Sequence, residues 1–418
     1  MNHTLKTILR QTFWQLIGKG VTSFSTLIIL GLIARNYSKE GVGIFTLALT
    51  YLSIFYLISD FGFNAHVLRE LKVKSSKLKV EWRKLLGTRI VWSGILVALA
   101  VGLLPFWPFS TPQFSQSVIL GSLAIIASGV FITCNLIFQN ELRYDLSVLA
   151  SSLGIIGGLV IYVFLVTSKY PIVFLLLAHL SGWVIIALAA TILVWKFLRD
   201  LTPIFDKRYS INLFKDSWPV AATLALNVIY FRADAFMIAY FRSVADVGIY
   251  NIAYSIFQAV LVLPTFIMNS YYPIMLKSLG GIKLAATVFF SLSLIGTFLM
   301  FVLSPFVITI LTGNGFSGSV SSLQILSLGF PAYFLSSLLM WILIARGKYK
   351  IMFLLYTSGL ILNLILNFIY IPQYSYIAAS WTTVISEYVI LAMQVMVLWL
   401  EPERDPSSLI TPQDDKMR

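Results

Sequence analysis

The sequence predicts an all-α integral membrane protein, with twelve transmembrane helices in two parallel six-helix lobes around a central cavity. Of 418 residues, 58% are hydrophobic and 11% charged, where a soluble domain carries about 25% charge. Apolar runs recur from end to end, each long enough to cross about 30 Å of hydrocarbon. One segment also repeats 205 residues further on, from Gly43 to Gly248.

The apolar runs delimit spans at 11–34, 42–66, 86–108, 114–138, 146–167, 171–196, 218–241, 247–275, 284–311, 321–345, 350–371 and 376–400. The first run carries Lys19, continues to Ala34 and lacks a small-residue cleavage site, so it reads as a span and not a signal peptide. Connections are short except 67–85 and 197–217. The tail 401–418 is charged and contains Pro and Ser, a composition that favours disorder. Long continuous apolar runs argue against a β-barrel, whose segments alternate over about ten residues.

An even number of spans puts both termini on one side. On that side lie 24 of the 30 Lys and Arg residues, Arg89 counted among them. The opposite connections hold Arg35, Lys39, Lys169 and Arg242. The positive-inside bias therefore puts both termini in the cytoplasm. Most of the net charge of +13 serves orientation and contact with anionic lipid, so nucleic acid is not an expected partner.

The repeat organises the chain. IARNYSKEGVGIFTLA (33–48) aligns without gaps on IAYFRSVADVGIYNIA (238–253), with Ser38/Ser243, Val42/Val247, Gly43/Gly248 and Ala48/Ala253 among the identities. Six spans separate the copies, so they share one orientation, as in parallel repeats related by an axis along the membrane normal. The expected units are lobes 1–200 and 201–400, followed by the tail 401–418.

Polar residues inside spans are costly, roughly 2.5–3.5 kcal/mol for a central charge, and mark candidate sites. Arg232 and Asp234 lie roughly 21 and 24 Å above Trp218 at about 1.5 Å per residue. Glu387 reaches a similar height, which makes it a candidate ion-pair partner of Arg232. Asp234 shares a helix face with Thr223, Asn227 and Tyr230, a polar stripe that suggests a wet, cavity-facing surface. Lys19 lies roughly 13 Å into the first span, available to an anionic substrate group, to Asp60, or to the surface by snorkelling. Asp60 and Asn64 share a face near the inner end of span 2, with structural or gating roles. Pro264 is expected to kink span 8. No phosphate-binding GxxxxGK[ST] loop, catalytic triad or metal-ligand spacing occurs, so neither an ATPase nor another enzyme is expected. Cys134, the single cysteine, reads as a buried small hydrophobe.

RADAFMIAYFRSVADVGIYNIAYSIFQ (232–258), SDFGFNAHVLREL (59–71) and IARGKYK (344–350) resemble the bacterial polysaccharide-unit flippases of the Wzx type. These belong to the superfamily of the multidrug and toxin extruders. The resemblance implies a MATE-like, V-shaped helical cavity in the bacterial cytoplasmic membrane. It implies alternating-access movement of a polyprenyl-pyrophosphate-linked oligosaccharide from the inner to the outer leaflet. Cationic cavity residues would meet the pyrophosphate, a role carried over to Lys19 and Arg232. Membrane lipids, a polysaccharide polymerase and chain-length proteins are the implied partners. No cofactor is expected beyond a coupling ion, proton or sodium. The alternative is an ion-coupled multidrug extruder of the same fold, with Asp234 or Glu387 as its ion site.

Overall fold

The computed structural model describes residues 3–71, 78–109, 111–275 and 281–400; side chains at 3–12, 69–71, 223, 226–229, 269–270 and 272–274 lie outside the description. The first half comprises α1 (His3–Asn36), α2 (Lys39–Asp60), α3 (Phe63–Leu71), α4 (Leu78–Gly102), α5 (Pro112–Ser122), α6 (Ala124–Asn140), α7 (Tyr144–Thr167) and α8 (Leu175–Leu198). The second comprises α9 (Lys207–Phe241), α10 (Val244–Val260), α11 (Val262–Met275), α12 (Ile282–Thr312), α13 (Ser317–Ser327), α14 (Phe330–Ala345) and α15 (Tyr349–Leu400). Among the described residues there is no strand.

Among the described residues, nine helices are long and apolar enough to cross a membrane, or ten when the bent pair α13–α14 is taken as one span. α15 is itself a hairpin. Its helical geometry fails at Ser375 (φ 50°, ψ −133°), just after Pro372. Its two arms then face each other, with Ser358 beside Met393, Tyr356 beside Gln394 and Gly359 against Ile390. α9 is long enough to span, but Lys215, Asp216, Arg232 and Asp234 dilute its hydropathy.

Several expected spans are broken. Span 2 ends at Phe61 (φ 49°) and Gly62 (φ 72°), and α3 follows. Span 8 breaks at Leu261, where Pro264 can neither donate to the Val260 carbonyl nor clear it. The expected polar connection 197–217 is largely helical, because α9 begins at Lys207 under an Asp206 cap that accepts from the Tyr209 amide at 3.0 Å. The tail 401–418 lies outside the described residues.

The 205-residue repeat extends over the element boundaries. α1 ends at Asn36 and α9 at Phe241; α2 starts at Lys39 and α10 at Val244; α5 and α13 correspond at both ends; α7 and α15 start at Tyr144 and Tyr349. Even the caps match: Ser38 accepts from the Gly41 amide, Ser243 from the Asp246 amide. The two copies also touch. Asn251 donates to Thr46 at 3.0 Å, a pair separated by the repeat offset itself. Gly43 and Gly248 bring α2 and α10 together backbone to backbone. A methyl on Gly43 would lie 2.7 Å from the Val244 carbonyl carbon, and one on Gly248 2.9 Å from the Gly43 nitrogen. A pseudo-twofold axis therefore passes between these residues.

This crossing closes the Lys/Arg-poor end. Arg35 crosses as well, donating to the Ile310 carbonyl and, at 3.2 Å, to that of Leu311, at the C-terminus of α12. Just beneath, Phe236 of α9 packs on Trp107 (5.5 Å between ring centroids) and Phe109 of the first half, and Trp107 on Tyr51. Such a seal excludes water through backbone contact and aromatic burial together. Near the other end, α9 carries Phe214 into an aromatic cluster of Phe61, Phe63 and Trp92, all within 5.0 Å of it. The first turns of α9 therefore belong to the core of the first half, and its later turns to the second.

Candidate functional site

α9 and the second arm of α15 run side by side and match polar groups one turn apart. Tyr230 donates to Glu387 at 3.0 Å. Four residues along each helix, Thr383 donates to Asp234 at 2.9 Å. Asp234 also accepts from Tyr250 at 2.7 Å and from Asn367 at 2.6 Å. Asn367 in turn accepts from Thr382 and donates to Asn363 at 2.9 Å. Tyr230 and Asp234 thus share a face, as their spacing predicts. The wet surface expected at Asp234 is not there: the residue is 3% exposed. Three donors engage both carboxylate oxygens and tie α9, α10 and both arms of α15 together. The side chain of Asn227 lies outside the described residues.

One turn closer to the Lys/Arg-rich end, a cavity of about 600 Å³ opens within the second half. α9, α11, α14 and α15 line it. Glu387 and Tyr230 form part of its wall, with Tyr333, Tyr356, Ser336 and Pro264. Ser336 shares this wall with Glu387. Among the described residues no Lys or Arg lines this cavity.

Arg232 points elsewhere. Two residues along a helix is about 200° of turn, so it lies nearly opposite Tyr230. It shares a face with Phe236, four residues on, which packs on the first half. Arg232 therefore faces the first half, one turn below the aromatic seal, and is half-buried. Among the described residues it forms an ion pair with neither Glu387 nor Asp234; the geometry of α9 directs it away from both. Lys19 is exposed on α1, and its expected carboxylate partner is taken.

That partner, Asp60, belongs to Arg89. Arg89 is fully buried and donates to Asn64 at 3.0 Å, to Thr133 at 3.1 Å, and to the carbonyl (3.0 Å) and carboxylate (3.4 Å) of Asp60. Asp60 and Asn64 are thus joined by a guanidinium and not by continuous helical spacing, because α2 breaks between them. Arg89 is therefore a core residue of the first half and not one of the loop cations. The signal for its burial was present: it interrupts an apolar run that starts at Leu85 and continues to Gly102. A buried Arg bonded to a helix-terminal carbonyl and an acid serves as an anchor, holding the broken end of α2 to α4 and α6.

A profile described as polysaccharide biosynthesis protein matches residues 8–279. The chain belongs to that family. It is 24% identical over 350 residues to a Shigella dysenteriae protein described as a candidate O-antigen transporter, an alignment covering 82% of this chain and 86% of the relative. Among solved structures it is similar to the lipid II flippase MurJ in an inward closed conformation (TM-score 0.76, 15% identity, 96% of this chain and 90% of that one). It is also similar to an inward-facing multidrug resistance MATE transporter of the MOP superfamily (TM-score 0.68, 15% identity, 96% and 95%). The family member is thus a multi-pass membrane protein with the MATE-like fold, and its relatives are transporters and flippases, not enzymes.

Proposed function

We propose that this polysaccharide biosynthesis protein moves a polyprenyl-pyrophosphate-linked oligosaccharide from the inner to the outer leaflet of the bacterial cytoplasmic membrane by alternating access. The observation that carries the reading is the placement of Arg232: a half-buried guanidinium on the inter-lobe face of α9, below a seal that closes the Lys/Arg-poor end. A pyrophosphate cannot enter hydrocarbon unpaired, and a guanidinium matches its oxygens bidentately. The O-antigen transporter and lipid II flippase relatives support the substrate class. The charge bias supports cytoplasmic termini, which makes the sealed end the outer one and the present state one that loads from inside.

Residues 1–200 and 201–400 act as the two moving lobes, and Lys19 is a second cation along the path. Asp234, with Asn367, Thr383 and Tyr250, is the proposed site for a coupling proton or sodium ion. Polysaccharide polymerase and chain-length proteins are the proposed partners, to be sought by co-purification. The test is flipping of the lipid-linked unit in proteoliposomes. Arg232→Ala should insert and fold normally yet lose most headgroup translocation. Wild-type rates from a well-folded Arg232→Ala protein would remove Arg232 from the mechanism; efflux of organic cations without flipping would favour the multidrug alternative.

A further inference from the structure

The cavity beside Glu387 lies behind α9, on the side away from Arg232. Its chemistry differs from that of an anion site. Among the described residues Glu387 is its only charged lining residue; tyrosine rings and small hydroxyls stand beside it, and Phe231, Met340, Met352 and Phe353 are among the apolar remainder. A pyrophosphate placed there would meet a carboxylate and no cation. A hydrocarbon tail would leave a buried carboxylate and several hydroxyls facing an apolar ligand, which is unfavourable. A hydrophobic organic cation would satisfy Glu387 and leave the hydroxyls unpaired. A sugar ring suits all of these groups: its hydroxyls donate to the carboxylate and exchange hydrogen bonds with Ser336, Thr357 and Tyr356, and its C–H faces lie on aromatic rings. The volume, about 600 Å³, falls in the range of about 300–1,000 Å³ typical of small-ligand sites.

α9 and α11 both line the cavity and both approach the first half. Glu387 holds its orientation through Tyr230. That hydrogen bond leaves further lone pairs of the carboxylate for a ligand.

We propose that this cavity is a glycan subsite, which takes a sugar ring of the headgroup with Glu387 as its principal acceptor, while the pyrophosphate stays on the Arg232 side of α9. The assignment rests on the flippase reading for its choice of ligand, so its test includes a readout that does not need flipping. The oligosaccharide released from the native lipid-linked unit is added to the purified protein in detergent, and saturation transfer to its ring protons is measured by NMR. Transfer is expected with wild type, and should fall about tenfold in Glu387→Gln and Tyr356→Phe, each checked for folding by size exclusion. In proteoliposomes, the ratio of flipping rates for the full unit over a unit truncated to one sugar should fall by a similar factor in both variants. An unchanged ratio, absent transfer in the wild type, or tetraphenylphosphonium binding that displaces no glycan and is lost in Glu387→Gln would each overturn the subsite. Glycan transfer without any flipping would leave the subsite standing and sink the flippase reading instead.

Discussion

Gly43→Ala should drive the protein out of its present state. The methyl would overlap the Val244 carbonyl oxygen and sit 2.7 Å from its carbon and 2.9 Å from Cγ1 of Val244. Most of the obstacle is backbone at the first turn of α10, so no rotamer change relieves it. Overpacking of this kind costs about 1–3 kcal/mol. The crossing exists only while the Lys/Arg-poor end is closed, so the whole cost falls on that state. The ratio of open to closed protein at that end should rise about 5- to 150-fold. Gly248→Ala meets the same crossing from the other side and should act in the same direction. Gly94→Ala, with nothing within 4 Å of the added methyl, is the control. The assay is maleimide labelling of Thr46→Cys in a Cys134→Ser background, since Thr46 is 7% exposed in the closed crossing. Labelling no faster in a folded Gly43→Ala protein than in its parent would refute the reasoning, and so would equal acceleration by Gly94→Ala.

Three further outcomes follow from named contacts. Arg89→Met should destabilise the protein by about 2–3 kcal/mol, because it strands Asn64 and a buried helix end while the partly exposed Asp60 carboxylate can recover some solvation; thermal unfolding in detergent reads this. Arg35→Ala removes the guanidinium from the α12 carbonyls and should accelerate Thr46→Cys labelling, though less than Gly43→Ala, because a rim contact contributes less than a backbone clash. Lys84, 2.8 Å from Asp206, holds that carboxyl below its usual pKa, helped by the Tyr209 amide. A depressed folded pKa stabilises above the unfolded value of about 3.9 and is lost as pH falls through the folded one. Amide exchange at 206–210 should therefore accelerate only in strong acid, whereas Asp206→Asn should raise exchange at neutral pH and remove the acid dependence.

Much of this was legible in the sequence, and the exceptions have physical causes. Span positions depend on apolar run length, a local property, so they were readable. Breaks inside spans were not, except near Pro264. Phe61 adopts a left-handed conformation that no composition signals, and the α13–α14 bend at Leu328 and Gly329 looks apolar throughout. The face shared by Tyr230 and Asp234 followed from spacing. The partner of each did not, because it depends on which arm of α15 lies opposite. Arg232 and Glu387 at equal height looked like an ion pair only because height was known and rotation about the helix axis was not.

The repeat supplies a sharper rule for where polar chemistry sits. In the first half, α7 and α8 meet through glycine. A methyl on Gly158 would lie 3.3 Å from the Gly182 Cα, and one on Gly182 3.1 Å from the Gly154 carbonyl. The residues 205 positions on are Asn363 and Glu387, side chains too large for backbone contact. Asn363 instead accepts from Asn367, which takes the inter-arm bond from Thr382. Glu387 accepts from Tyr230 of α9, and the cavity lies beside Glu387. The converse holds for the first half: Asp60 and Arg89 correspond to Thr265 and Leu294, so the buried guanidinium anchor has no counterpart in the second. Duplication gives both halves one backbone frame, and polar substitutions at frame positions then separate an anchoring lobe from one that holds a cavity. Positions where one half carries Gly or an aliphatic residue and the other a buried charge are therefore where function diverged, and Glu387 against Gly182 is the pair most directly tied to the proposed glycan subsite.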